Sequence, residues 1–379
     1  MSPATLVLGG GLVLAMIFGA VASRSSFCIM GAISDARNMG DRDRLRMWLL
    51  AVTVAMVGAN LMHLAGWLDL SQSVYQRPVV PWLSLLLGGT LFGVGMTLAG
   101  GCPNKNLIHL GGDSLRFLVV LVFLAISAYM TLKGLFAHWR ATYLDRFTID
   151  LSAMGLENQG LASILAKATG LPHVLAMLAC VAVIDIGLLL LVFRDRQFRS
   201  QPGMAAGATV LGLLAATGWY LTDHIGHAEN PNTLEIVYFD TNTRTLESFS
   251  FVAPTVCSLE LLMLWTDRSL HATFGIVIVI GVMLGSLVVA LATRSFRLEG
   301  FVSMQDLRAH LAGAVLIGFG GVTALGCTVG QGLPGLSILA PGSLIAVAGI
   351  VCGSVATMKW MERARHSQNL CLCLNISHY

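Results

Sequence analysis

Nine apolar stretches dominate this sequence, each about as long as a helix must be to cross a bilayer. They cover residues 5–23, 47–66, 81–99, 115–137, 171–193, 204–221, 271–293, 309–325 and 343–361. Only 11% of the 379 residues are charged, against roughly 25% in a soluble domain, so a water-soluble enzyme and a disordered chain are excluded. The net charge of +3 is too small to indicate nucleic-acid binding. We therefore predict an all-α membrane protein with about nine transmembrane helices in a lipid bilayer.

Four further apolar segments are too short to cross a bilayer. They cover residues 25–33, 103–111, 251–265 and 331–339. Non-helical backbone and half-length helices persist at membrane depth only where they are buried in protein or line an aqueous cavity. Four such segments therefore indicate re-entrant helices around a pore or a binding site, not a simple membrane anchor.

Basic residues follow four odd-numbered apolar stretches, the first, fifth, seventh and ninth. They are Arg37, Arg42, Arg44, Arg46, Arg194, Arg196, Arg199, Arg294, Arg297, Arg308, Lys359, Arg363 and Arg365. Because cytoplasmic loops carry the excess of Lys and Arg, we predict that the N-terminus lies outside and the C-terminus lies in the cytoplasm. No basic leader precedes the first stretch, which we therefore interpret as an uncleaved first span.

An internal repeat divides the chain. The segments GGTLFGVGMTLAGGC and GAVLIGFGGVTALGC align at a constant offset of 225, and upstream SSFC faces FSFV at an offset of 224. One extra span separates the two halves, so they have opposite orientations, as in transporters built from inverted repeats. The predicted divisions are a first repeat of spans 1–4 (1–137), a connector with span 5 (138–200), a second, inverted repeat of spans 6–9 (201–365) and a C-terminal tail (366–379).

In both halves a glycine-rich span ends at a cysteine, and a short helix follows it. These segments are AGGCPNKNLIHLGGDS and ALGCTVGQGLPGLS. The free N–H groups at the start of a helix favour an anion, and nearby side-chain amides add donors. The residues predicted to line a binding or translocation site are Cys28, Cys102, Cys327, Gly101, Asn104, Lys105, Asn106, Gly326, Thr328 and Gln331.

Three cysteines give this predicted site its chemical character. A thiol in an apolar constriction stays a neutral S–H, which is a weak donor suited to a soft acceptor such as sulfur. A metal site would need thiolates and histidines at fixed spacings, and the sequence has no CxxC pair. We therefore predict neither a metal nor a cofactor, and no catalytic residue.

The segments SSFCIMGAISD, GGCPNKNL and ALGCTVGQGLPGLS resemble the signature segments of the YeeE/YedE membrane family. The resemblance covers nearly the whole chain and implies an hourglass-shaped transporter of the bacterial inner membrane, not an enzyme. It implies uptake of thiosulfate into the cytoplasm by transient S–H···S hydrogen bonds, with Cys28, Cys102 and Cys327 at the constriction. It also implies a TusA-like sulfur carrier protein as a cytoplasmic partner.

Some alternatives stay open at this point. In one alternative the protein transports another sulfur or selenium species. In the other it is an intramembrane thiol oxidoreductase, which would need two cysteines whose Cα atoms lie within about 7 Å of each other. The sequence does not separate a channel from a coupled carrier and does not give the oligomeric state. We expect a structural hydrogen bond for Asp185, and assign no role to Glu260, Cys371 or Cys373.

Overall fold

The computed structural model describes residues 3–112, 114–229, 236–296, 300–301 and 303–376. Its helices are, in chain order, α1 (Pro3–Arg24), α2 (Ile29–Asn38), α3 (Asp43–Leu64), α4 (Trp82–Leu98), α5 (Pro103–Gly112), α6 (Arg116–Leu132), α7 (Leu135–Tyr143), α8 (Leu161–Thr169), α9 (His173–Phe193), α10 (Arg196–Arg199), α11 (Pro202–Tyr220), α12 (Val252–Met263), α13 (Phe274–Ala292), α14 (Met304–Thr323), α15 (Thr328–Gly330) and α16 (Pro341–Ile376). Wide π-helical turns, Leu221–Ile225 and Gln331–Gly335, follow α11 and α15.

The predicted all-α membrane fold is confirmed. Within the described residues, eight helical segments are long and apolar enough to cross a membrane, or nine if α6 and α7, which are bent by 54°, form one span. Each of the nine predicted apolar stretches overlaps one long helix, in order α1, α3, α4, α6, α9, α11, α13, α14 and α16.

Two short antiparallel strand pairs lie in the loops between the helices. Strand β1 (Val79–Val80) pairs with β2 (Ile149–Asp150), with Val79 opposite Asp150. Strand β3 (His227–Glu229) pairs with β4 (Ile236–Tyr238). Both pairs contain too few residues for a hydrophobic face, so the fold depends on helix packing.

Four short helical segments, which start with α2, α5, α12 and α15, begin inside the protein. The first two run towards one end of the helix bundle and the last two towards the other end. One end, which we call the basic end, is where α1 ends and α3 begins; α2 ends there, since Asp35 pairs with Arg44 of α3 at 3.3 Å. Helix α5 packs along α13 towards the same end. At the other end, α12 reaches the end of α6 through an ion pair at 2.6 Å between Glu260 and Lys133. The helical segment that starts with α15 also runs towards this end.

Glycines let the long helices α4 and α14 touch through their backbones. A Cβ built on Gly88 would lie 2.6 Å from the nitrogen of Ala324, and one built on Gly313 would lie 2.6 Å from the nitrogen of Ala99. The two contacts are related by the repeat offset of 225, since Gly88 corresponds to Gly313 and Ala99 corresponds to Ala324. Close backbone approach of this kind is how membrane helices associate without a hydrophobic driving force.

The packing between the other long helices has the same reciprocal pattern. Helix α1 packs on α13 as α11 packs on α3, and α4 packs on α16 as α14 packs on α6. The short helices continue the pattern, since α2 contacts α3 and α12 contacts α13. Each of these contacts therefore has a counterpart between the corresponding helices of the other part of the chain, whereas the packing of α9 on α3 has none among the described helices.

Candidate functional site

The three predicted cysteines share one local geometry at the start of a short helix. The sulfur of Cys28 accepts a hydrogen bond from the backbone N–H three residues later, with an N···S distance of 3.5 Å. The sulfur of Cys327 does the same at 3.3 Å, and Cys102 directly precedes α5, with its thiol near the backbone N–H of Lys105 and its carbonyl oxygen accepting from the N–H of Asn106. Each thiol therefore occupies the N-cap position, where backbone donors are left free by the helix.

A left-handed residue precedes each cysteine by two positions. These residues are Ser26 (φ 52°), Gly100 (φ 72°) and Leu325 (φ 56°). The left-handed conformation reverses the chain direction, so that a helix which has just ended is followed by one that starts inside the protein. Glycine adopts it freely, whereas a leucine is strained in it. Gly100 and Leu325 are separated by the repeat offset of 225.

The tertiary fold brings the thiol-bearing turns together. The thiols of Cys28 and Cys102 lie close together, and the Cys102 thiol is also near the side chain of Thr328, which follows Cys327 in the chain. Cys102 and Cys327 are buried in the main core, whereas Cys28 is half-buried. Cys102 thus lies between Cys28 and the turn that carries Cys327, and all six cysteines whose side chains are described are free thiols.

Buried polar atoms without hydrogen-bond partners surround the thiols. Among the described residues they include Oδ1 of Asn104, Oδ1 and Nδ2 of Asn106, Oγ1 of Thr328 and Oε1 of Gln331. Gln331 is anchored by its other amide atom, since Nε2 donates to the carbonyl oxygen of Ala324 at 2.6 Å. Because buried polar groups in folded proteins are nearly always bonded, these atoms form a set of free donors and acceptors for a polar solute or water.

The remaining predicted residues shape this space. The Lys105 ammonium donates to the carbonyl oxygen of Gly100 at 3.0 Å and lies near Cys28. A Cβ built on Gly101 would lie 2.7 Å from Lys105 Cδ, and one built on Gly326 would lie 3.2 Å from Gln331 Cγ. Both glycines therefore allow the following side chains to fold back over their own turns.

Tyr75 is a site residue that the sequence did not indicate. It lies in the loop between α3 and α4, and its hydroxyl would be 3.0 Å from a Cβ built on Gly330 and 3.5 Å from one built on Gly326. The same Gly330 Cβ would lie 3.1 Å from Oγ of Ser250. Burial raises the pKa of the Tyr75 hydroxyl far above its usual value, so it remains a neutral donor beside the Cys327 turn.

Two carboxylates within apolar stretches lie outside this group. The prediction of a structural hydrogen bond for Asp185 is wrong. Its side chain is buried, and neither carboxyl oxygen has a hydrogen-bond partner among the described residues. Glu260 forms the ion pair with Lys133. Within the same part of the chain no group of three His, Cys, Asp or Glu residues is arranged to hold a metal ion. The side chains of Cys371 and Cys373 lie outside the described residues.

Comparisons with known proteins cover most of the chain. A family model described as "Sulphur transport" matches residues 24–356. The chain is 24% identical over 372 residues to the thiosulfate transporter TsuA of Escherichia coli (strain K12), which covers 94% of each chain. It is 23% identical over 356 residues to the thiosulfate transporter TsuA of Spirochaeta thermophila, which covers 93% of this chain and 98% of that relative.

Proposed function

The chain belongs to the sulphur transport family, and we propose that it takes up thiosulfate across the bacterial inner membrane into the cytoplasm. Two relatives that align with more than nine-tenths of it are named thiosulfate transporters, not enzymes. The observation within the chain that carries the proposal is the proximity of the Cys28 and Cys102 thiols, where the short helices meet.

The chemistry of this region suits both ends of the thiosulfate ion. Thiosulfate is a small dianion with oxygens at one end and a soft sulfur at the other. The free amide nitrogen of Asn106 and the free hydroxyl of Thr328, together with helix N-termini, can donate hydrogen bonds to the oxygens. A neutral thiol is a weak donor to the sulfur, and weak binding at successive positions lets an ion pass on. We infer a path of transient S–H···S hydrogen bonds.

The direction follows from the charge at the two ends. If the basic end faces the cytoplasm, the N-terminus lies outside and the C-terminus inside. The ion then meets Cys327 beside Tyr75 first, passes Cys102 and leaves from Cys28. A TusA-like carrier would receive the sulfur at the basic end.

The reciprocal helix packing supports a further element of this proposal. We infer that residues 1–137 and 201–365 are inverted repeats, joined by residues 138–200, and that they form an hourglass with the thiols at its waist. The contacts of Gly88 and Gly313 and the left-handed Gly100 and Leu325 occupy equivalent positions in the two parts. Such repeats place a solute site at their interface near the bilayer midplane.

Uptake of radiolabelled thiosulfate into cells that lack other sulfur importers tests the function. We expect wild-type protein to restore uptake, and unlabelled thiosulfate to compete better than sulfite, sulfide or a selenium analogue. No uptake by well-expressed protein would contradict thiosulfate as the solute. Stronger competition by another species would identify that species instead.

The adjacent thiols also favour a second candidate, an intramembrane thiol oxidoreductase. In that reaction the Cys28 and Cys102 thiols would form a disulfide and pass two electrons and two protons to a quinone, giving the quinol. Purified protein would then reduce a soluble quinone in a Cys28-dependent way without thiosulfate. Uptake without quinone reduction would exclude this candidate.

A further inference from the structure

A cavity of about 670 Å³ opens at the basic end of the protein, between the end of α1 and the starts of α3 and α11. Its polar lining consists of Arg24, Ser25, Ser26, Arg44 and Gln201. None of these residues belongs to the group around the buried thiols. We call this space the exit cavity.

The exit cavity carries an excess of positive charge. The Arg44 guanidinium pairs with Asp35 at 3.3 Å and remains 38% exposed. Arg24 is exposed and has no ion pair among the described residues. Guanidinium groups bind oxyanions through pairs of N–H donors, so two arginines with one acidic partner leave a site for an anion.

The cavity is continuous with the turn that carries Cys28. Ser25 and the left-handed Ser26 line it and lie directly before Phe27 and Cys28. From the other side, Arg44 Nη1 would lie 2.9 Å from a Cβ built on Gly31, whose N–H donates to the Cys28 sulfur. The half-buried Cys28 thiol therefore lies next to the cavity that the Arg24 and Arg44 side chains line.

We propose that the exit cavity binds a free divalent sulfur oxyanion between Arg24 and Arg44. This inference rests on the proposed function in one respect, because thiosulfate leaving Cys28 is the anion that would occupy the cavity. Ion pairs that face water are weak, so the anion is held without being trapped. A lipid phosphate offers the same chemistry, and apolar residues such as Val21 and Met204 also line the cavity, so the test must separate the two sources.

The test measures binding of radiolabelled sulfate, which lacks the soft sulfur, to the purified full-length protein in phosphatidylcholine nanodiscs. The variants are Arg24→Gln and Arg44→Gln, and the matched control is Arg42→Gln, an exposed arginine that does not line the cavity. Loss of a charge-assisted hydrogen bond should raise the dissociation constant about tenfold or more in each of the two variants. The control should bind as the wild type does.

A further variant gives a result that misfolding cannot imitate. Asp35 competes with the anion for Arg44, so Asp35→Asn should bind sulfate more tightly than the wild type. Equal binding by all variants, or no binding by the wild type, would overturn the proposal. Arginine-dependent retention of phosphatidylglycerol, with no sulfate binding in phosphatidylcholine, would overturn it in favour of a lipid site.

Failure of the proposed function is distinguishable from failure of this inference. Thiosulfate uptake by wild-type cells reports the function, whereas sulfate binding reports the cavity. Normal uptake with arginine-independent sulfate binding would remove the exit cavity and leave the transporter intact. Arginine-dependent binding without thiosulfate uptake would support the anion site and contradict thiosulfate as the solute.

Discussion

The thiol of Cys28 lies close to the thiol of Cys102, although the two cysteines directly precede different short helices, α2 and α5. Neither helix crosses the molecule, so both start inside the protein and end near its basic end. The same arrangement leaves buried amide atoms without partners beside the thiols. A solute that needs both soft and polar contacts would find both in one place.

Replacing Asn106 by leucine should separate stability from transport. Both polar atoms of the Asn106 amide are buried without partners among the described residues. An apolar side chain of similar size removes a desolvation penalty of about 1–3 kcal/mol, so we expect an unchanged or higher unfolding temperature. Thiosulfate uptake should fall at least about tenfold, since donors to the ion are lost. Undiminished uptake by a stable Asn106→Leu protein would show that this amide does not contact the solute.

Backbone contact between α4 and α14 predicts that Gly95→Ala is destabilising. A Cβ at Gly95 would lie 2.7 Å from the carbonyl oxygen of Gly313 and 2.7 Å from the nitrogen of Ile317. Overpacking of this kind costs about 1–3 kcal/mol, and the unfolding temperature of the purified protein should fall. Gly187→Ala is the matched control, because that helical glycine has no atom within 4 Å of the added Cβ. An equal change in both variants would argue against the close packing.

Asp185→Leu should stabilise the protein and leave transport unchanged. Its carboxyl group is buried in α9 without a partner among the described residues, and none of the residues around the thiols belongs to α9. Removing the unsatisfied group should contribute about 1–3 kcal/mol to stability. Thermal unfolding and thiosulfate uptake, measured on the same preparation, check both parts. A stable variant that has lost uptake would instead make Asp185 part of a coupling mechanism.

Tyr75→Phe tests the residue that contacts the Cys327 turn. The ring should keep its edge contact with Trp219, at a centroid distance of 6.3 Å, so the fold should be retained. Loss of one neutral donor, worth about 1 kcal/mol, should lower the uptake rate roughly fivefold. The exposed Tyr143 provides the control substitution Tyr143→Phe, which should have no effect. A normal rate in Tyr75→Phe would remove its hydroxyl from the solute path.

The long helices were predictable because membrane spans have an unambiguous signal in the sequence. Each of the nine apolar stretches overlaps a long helix, and the resemblance to the YeeE/YedE family is confirmed by the match over residues 24–356. The boundaries of short segments were less accurate: the segment predicted at 25–33 is a helix over Ile29–Asn38. Polar residues at the end of that helix carry no hydropathy signal, but they are held by ion pairs with other helices.

Contacts across the chain were the part of the site that the sequence did not reveal. Cys102 and Cys327 were visible as a repeated motif, but Tyr75 lies in a loop without periodicity and reaches the Cys327 turn only in the folded protein. The unpartnered oxygens of Asp185 were missed for the same reason, since hydrogen bonding depends on neighbours from other helices. Arg44 was interpreted only as a marker of orientation, and the cavity that it shares with Arg24 suggests a binding role.

The most direct test of the thiol path compares Cys102→Ala with Cys352→Ala in proteoliposomes loaded on one side with radiolabelled thiosulfate. Cys352 is exposed on the long helix α16, so its substitution controls for the loss of a cysteine as such. We predict that Cys102→Ala retains its unfolding temperature within a few degrees and transports at least about tenfold more slowly, while Cys352→Ala transports normally. Transport by folded Cys102→Ala at the wild-type rate would contradict the account.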